Sequence, residues 1–285
     1  MALNNFKENQ IIESKKINLH PDVMTFEEYI KKEHSVPYTF DLKKGNKELF
    51  YFGTKHSNDI NNPMFSEIKK KFEEKKPEIV FVEGIESLGD KKEQAINLLK
   101  TGNIADIVKD FGEAGFALKL AVDSGVDIAS PEPKLKDEIN YLLQKSLPKE
   151  DIFAFYLYRQ INQYYRDTEK DSLEEYLRPL IQEIKMNTTW DDFDYSLENL
   201  KKIGEKVWED RGDINNPNFS DKRTDPAFSD LKTSVTIVAQ QSSYFRDRYI
   251  VQKIQETLKN KDKLFVVFGA SHAFMQESAL RNFFK

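Results

Sequence analysis

"LFVVFGASH", Leu264 to His272, packs five apolar residues against a glycine and follows them with a histidine. An unbroken apolar run of this length, rich in β-branched and aromatic side chains, reads as a strand buried on both faces. The run follows a helix ending near Asn260 and a turn at "NKDK", and "ASHAF" leads into a terminal helix. Two other stretches share the pattern: "ELFYFG", Glu48 to Gly53, and "EIVFVEG", Glu78 to Gly84. Between them "PMFSEIKKKFEEKK", Pro63 to Lys76, sets Phe65, Ile68 and Phe72 on one helical face. A helix over Lys91 to Lys100 and another from Gly112, stopped by Gly125, precede a short strand in "VDIASPEP" that Pro131 and Pro133 break. Strands alternating with helices predict an α/β fold: a mixed or mostly parallel central sheet with flanking helices.

The pattern changes from Leu135. "DIFAFYLYRQINQYYRD", "SLEEYLRPLIQEIK" and "LENLKKIGEKVWED" are consecutive helices, read as a helical insertion or cap over about 135–210 within one α/β domain spanning 1–285. The first of them is dense in aromatic residues, for which packing between helices is the ordinary use and a ligand groove or oligomer contact the alternative. A loop rich in Asn, Pro and Gly, "RGDINNPNFSDKRTDPAFSD", follows and is placed to cover a site or to run over the surface. Its "DINNPNFSD" repeats "DINNPMFSE" at Asp59, which reads as two similar turns. The first 45 residues look polar and irregular apart from a short helix in "TFEEYIKK", where Thr25 caps and Glu28 completes a capping box.

Composition narrows the function. The chain of 285 residues carries 43 basic and 48 acidic side chains, a net charge of -5 with the signs interspersed, so neither nucleic acid nor an anionic membrane surface is an expected partner. The absence of cysteine excludes disulfides, thiolate nucleophiles and sulfur-ligated zinc. No run reaches the length of a membrane span, and "MALNNFKENQIIESKK" has no apolar leader core. The expected location is cytoplasmic if the chain is complete, and periplasmic or secreted if a leader has been removed. There is no Walker A loop, dinucleotide glycine fingerprint, GxSxG elbow or HExxH.

Ligands of α/β folds gather at the C-terminal ends of parallel strands, and four polar residues follow such ends. His56 lies three residues beyond Gly53, Glu83 follows "IVFV", Glu132 follows "DIAS", and His272 lies three residues beyond Gly269. An imidazole there can ligate a metal, take a proton from water, or bind an oxyanion when charged. A carboxylate behind a buried strand is costly unless paired or ligating. Glu113, between Gly112 and Ala114, suits either a helix start or a pocket. On the last long helix Arg246 shares a face with Ile250, Ile254 and Leu258 and needs an anionic partner, whereas Arg248 points elsewhere and Asp247 caps or pairs locally.

"GTKH", "VFVEG", "FRDRYIVQKI" and "VVFGASH", in this order, resemble the TraB, GumN and Tiki proteins, part of a broader group with the erythromycin esterases and the haem-binding ChaN-like proteins. The resemblance brackets Leu49 to Phe284 and maps the pair of GxxH motifs, the glutamate and the late Arg-Asn or Arg-Asp onto His56, His272, Glu83 and Arg246 with Asp247. It implies a hydrolase acting on a peptide or small-molecule substrate, and three chemistries stand open. In a metal-assisted route, His56, Glu83 and His272, with Glu132, hold manganese, cobalt or zinc and Arg246 stabilises the developing anion. In a metal-free route, His56 is the base, Glu83 orients it, and His272 with Arg246 binds the oxyanion. In the third, the protein binds haem or another apolar ligand beneath the aromatic helices without turnover.

Overall fold

The computed structural model describes residues 23–84, 92–166, 172–208, 213–216, 223–227 and 233–285. Among the described residues five strands form one sheet in the order β1-β2-β5-β3-β4, where β1 is Tyr38–Lys44, β2 Lys47–Thr54, β3 Ile79–Val82, β4 Asp127–Ala129 and β5 Lys263–Gly269. β1 runs antiparallel to β2, and all other pairs are parallel. The fold is therefore α/β with a mixed, mostly parallel sheet. The last strand of the chain fills the centre, with Thr54 opposite Gly269 on one side and Val82 opposite Val267 on the other.

Period-two alternation sorts the strand residues between two cores. Phe50, Phe52, Val80, Val82, Phe265 and Val267 face α2 (Pro63–Lys75) and α4 (Ile104–Ser124), with Leu99 of α3 (Lys92–Thr101) in the same cluster. Leu49, Tyr51, Phe81, Leu264, Val266 and Phe268 face α9 (Ser234–Asn260) and α10 (Ala270–Phe283). α2 starts where the sequence places it: Pro63 sits behind Asn62, whose side chain accepts from the Met64 amide, and Phe65, Ile68 and Phe72 are buried. Gly125 ends α4 in the left-handed region at φ 64°.

Among the described residues four helices lie between β4 and α9: α5 (Leu135–Gln144), α6 (Lys149–Arg166), α7 (Leu173–Asn187) and α8 (Leu197–Val207). They form a third core with the first turns of α9, through Val235, Val238 and Ala239. The aromatic residues of α6 belong to it, since Phe153, Phe155, Tyr156 and Tyr158 are buried. α9 thus has its N-terminal turns in the helical core and Ile250, Ile254 and Leu258 in the sheet core. The repeated "DINNP" stretches share an Asx turn, with Asp59 accepting from the Asn61 amide and Asp213 from the Asn215 amide.

One expectation needs correction. The first 45 residues contain, besides the capped helix α1 (Phe26–Tyr29), the strand β1, whose alternate residues Phe40 and Leu42 are buried. The two-residue connection Gly45-Asn46, with Gly45 at φ 62°, closes a hairpin onto β2. Among the described residues no helix is long and apolar enough to cross a membrane.

Gly53 shows how tightly the terminal helix seats. A Cβ there would stand 2.6 Å from the Tyr38 carbonyl oxygen, 2.7 Å from Ala273 Cβ and 2.9 Å from Ala270 Cα. Gly53→Ala is expected to destabilise the fold by about 1–3 kcal/mol, the usual cost of overpacking. An unchanged midpoint in urea would contradict this packing.

Candidate functional site

Because β5 lies between β2 and β3, the segments leaving the C-terminal ends of these strands are neighbours. The space beside Gly269 shows their convergence. A Cβ on that glycine would lie 3.7 Å from His56 Nε2, 3.7 Å from His272 Cδ2 and 3.9 Å from Glu83 Oε2. The two imidazoles are therefore no further apart, at these atoms, than twice the first distance. The GxxH stretches are nevertheless not equivalent locally. His56 lies in the loop after β2, while His272 is in the first turn of α10, which starts directly after Gly269.

His56 has an exposed side chain and a buried partner. Its Nδ1 lies 2.5 Å from Glu113 Oε1. An ionised carboxylate only accepts, so Nδ1 carries the hydrogen and the Nε2 edge is directed at the space beside Gly269. Glu113 also accepts from Thr54 Oγ1 at 3.0 Å and from the Ser57 amide at 3.3 Å. Burial works against its charge, but the His56 hydrogen bond leads the contributions that keep its carboxyl below the usual range.

Gly112 makes this pairing possible. At φ 56° and ψ -143° it breaks α4 into two segments, the second opening on Glu113. A Cβ on Gly112 would stand 3.2 Å from the Ser57 carbonyl oxygen, so a glycine lets the His56 loop approach the kink. The Asn58 side-chain amide donates to the Lys109 carbonyl at 2.6 Å across the same contact. Glu113 stands at the start of the second helical segment and from there holds His56. Its flanking glycine was the signal.

Arg246 is buried between carboxylates. Its Nη2 donates to Glu132 Oε1 at 2.5 Å and lies 3.6 Å from Glu83 Oε1, while Glu132 Oε2 accepts from the Gly84 amide at 2.6 Å. Gly84, at φ 87°, presents that amide. Glu83 Oε2 accepts from the Gly269 amide at 3.4 Å. Burial alone would raise the Glu83 pKa, but the charges of His272, Arg246, His56 and Arg159 overcome it and hold it down at about 2. Burial likewise opposes the charge on Arg246, and Glu132 and Glu83 reverse that and raise its pKa.

Asp247, the next residue of α9, faces α10. His272 Nδ1 donates to its Oδ1 at 2.6 Å, and Gln276, one turn further along α10, donates to the same oxygen at 2.7 Å. Tyr51 completes the chain by donating to Gln276 Oε1 at 3.0 Å. Asp247 and Gln276 are both fully enclosed. Helical periodicity offers Asp247 a local cap or pair and the resemblance sets it beside Arg246, but nothing in α9 reveals which helix will cover it. Burial disfavours charge on His272, yet Asp247, and then Glu83 at 4.0 Å from its Nε2, outweigh burial and Arg246 and raise its pKa.

The rim opens on a cavity of about 620 Å³ lined by His56, Arg246, Ser271 and His272 at one end and by Phe155, Arg159 and Asn162 of α6 along a wall. Thr224 to Ala227, from the loop before α9, line it too. The chain matches no protein-family model, no curated protein and no solved structure.

The chemistry of the site bears on the metal-assisted expectation. Of its four ligands, Glu132 is engaged by Arg246 and the Gly84 amide, and His272 Nε2 faces a carboxylate whose other neighbour is Arg246. Among the described residues no group of three His, Asp or Glu side chains is arranged to hold a metal ion. In this arrangement the positive charge between the carboxylates belongs to arginine. Orienting His56 falls to Glu113, a role the sequence reading gave to Glu83.

Proposed function

We propose that the protein is a hydrolase of ester or amide bonds that activates water with an oriented histidine. The carrying observation is the His56–Glu113 pair at 2.5 Å, opening on the cavity beside Arg246 and His272. His56 Nε2 accepts a proton as the water oxygen bonds to the substrate carbonyl carbon, and the carbonyl π electrons move to its oxygen. Glu113 holds Nδ1–H throughout and stabilises the imidazolium. Arg246, whose Nη2 carries the carboxylate contacts, offers positive charge to the oxyanion, and so does His272 when protonated, a form that burial disfavours and Asp247 favours. Collapse of the adduct breaks the bond to the leaving group, which takes the proton back from Nε2.

The resemblance of "GTKH", "VFVEG", "FRDRYIVQKI" and "VVFGASH" to the TraB, GumN and Tiki group supports the same reading. The broader group, with its metal-dependent Tiki proteins and metal-free erythromycin esterases, divides between the two routes, and chelation separates them. Protein incubated with EDTA and desalted is expected to retain its full hydrolysis rate on a panel of p-nitrophenyl esters and fluorogenic peptides. A rate that disappears on chelation and returns with manganese, cobalt or zinc would replace the histidine base by a metal-bound water. Haem titration addresses the third chemistry: a spectrum identical to free haemin is expected, because the aromatic face of α6 is already buried in protein.

A further inference from the structure

The cavity extends well past the residues that handle the proton. Along α6 its wall is formed by Phe155, Arg159 and Asn162, at the spacings of one helical face. Asn162 is the anomaly on that wall. It is 6 % exposed, its Oδ1 is enclosed without a hydrogen-bond partner, and its carboxamide makes no hydrogen bond to a described residue. Leaving a buried carboxamide unmet costs free energy that a leucine of similar size would not, and a ligand able to meet it recovers that cost.

The carboxamide also limits which ligand groups fit. A half-turn about Cβ–Cγ exchanges its oxygen and its NH2, so the end turned to a ligand accepts in one setting and donates in the other. An oxyanion serves only the donating end and leaves Oδ1 unmet. An ammonium serves only the oxygen, and it would stand near Arg159 and Arg246, whose charges already oppose each other. A hydroxyl accepts and donates, and two neighbouring hydroxyls serve both ends. Water shares that capacity, so the surroundings must separate the two. Gln160, Thr224 and Ser243 line the same cavity, and their side chains make no hydrogen bond to a described residue. Several neutral partners spread around about 620 Å³, with the apolar ring of Phe155 beside them, suit a ring that carries several hydroxyls on a C–H framework.

We propose that this wall is a subsite for a neutral polyol, a sugar ring whose neighbouring hydroxyls meet the Asn162 carboxamide while the scissile carbonyl lies at His56. The proposal deepens the hydrolase reading and rests on it for its effect on turnover, whereas polyol binding stands independently. Arg159, one turn before Asn162, adds N–H donors for hydroxyl oxygens without requiring a charge on the ligand. The substrate is accordingly an ester or amide of a sugar.

Two measurements test this separately. Calorimetric titration of the full chain with methyl glucoside, methyl galactoside and methyl mannoside is expected to show binding of at least one, weakened about ten-fold or more in Asn162→Leu, the scale of a lost pair of neutral hydrogen bonds. The same variant is expected to unfold at a higher urea concentration than wild type, because it removes an unmet polar group. Binding that falls while stability rises marks a group kept for a ligand, and a residue with a structural role would lose both. In turnover, the wild type is expected to prefer 6-O-acetylglucose over cyclohexylmethyl acetate, which lacks the hydroxyls, by about ten-fold in kcat/KM, with the ratio falling towards one in Asn162→Leu. Glycoside binding that depends on Asn162 without hydrolysis of either ester would uphold the subsite and remove the hydrolase. Hydrolysis with no preference, together with no glycoside binding or binding equal in the two proteins, would remove the subsite and leave the hydrolase.

Discussion

Replacing His56 by alanine is expected to lower kcat for the best ester or peptide substrate by about 10²–10⁴-fold, the usual contribution of a positioned general base. The side chain is 75 % exposed, so its removal empties little of the core, but it strips the buried Glu113 carboxylate of its main hydrogen-bond donor and should cost about 1–3 kcal/mol of stability. Glu113→Gln probes the same unit from below. A carboxamide cannot hold Nδ1–H and support an imidazolium as a carboxylate does, so kcat should fall while the exposed ring stays in place. The double variant should be scarcely slower than His56→Ala, because residues that act as one unit lose their effect once. Equal kcat in wild type and His56→Ala, measured on folded protein, would refute the histidine base.

Arg246→Met carries the largest expected effect on stability. The guanidinium is 8 % exposed and lies between Glu132 and Glu83, so methionine leaves buried carboxylates facing each other with a cation removed. Breaking a buried pair from one side typically costs about 3–5 kcal/mol, much of it the uncompensated charge left behind. Chemical denaturation at neutral pH should show this loss. Adding Glu132→Gln, which removes one of the stranded charges, should recover part of it. Acid provides a second readout. Glu83 is held at about 2 against an unfolded value of 4.5, so its contribution is complete above 4.5 and is lost as pH falls towards 2. With Arg246 gone one of the opposing charges disappears and the folded pKa of Glu83 rises, so its acid loss should still begin near 4.5 but be smaller and end at a higher pH than in wild type. A variant with wild-type stability at neutral pH and the same acid profile would mean that the carboxylates do not depend on Arg246.

Much of the architecture was readable because local signals agreed. Three apolar runs ending in glycine, helices with Asn62 or Thr25 caps, and Gly125 as a stop each draw on interactions within a few residues. β1 escaped for the converse reason. Its outward residues Thr39, Asp41, Lys43 and Lys44 are polar or charged, as befits an edge strand, and diluted the alternation of Phe40 and Leu42. The Gly45-Asn46 turn between the alternating β1 and the apolar run of β2 was the available signal.

The candidate site divides in the same way. Strand ends placed His56, Glu83, Glu132 and His272 on one rim, and helical periodicity turned Arg246 inward. Their pairing is a different kind of fact. Glu113 meets His56 because Gly112 kinks α4 towards a loop far away in sequence, and Asp247 meets His272 because α10 packs over α9. Arg159 was hidden among the aromatic residues of α6, where the surrounding signal is core packing.

Residue order and chemistry thus established the α/β class, the positions of most elements and the polar groups available to the rim. They did so because hydrophobic period, caps and turns are short-range properties of the chain. Tertiary structure decided that β5 enters between β2 and β3, that arginine lies between the carboxylates, and that each histidine is held by its own acid. Those outcomes depend on strand order, helix crossing and the mutual burial of charges distant in sequence, which are energies of the assembled molecule and belong to no segment alone.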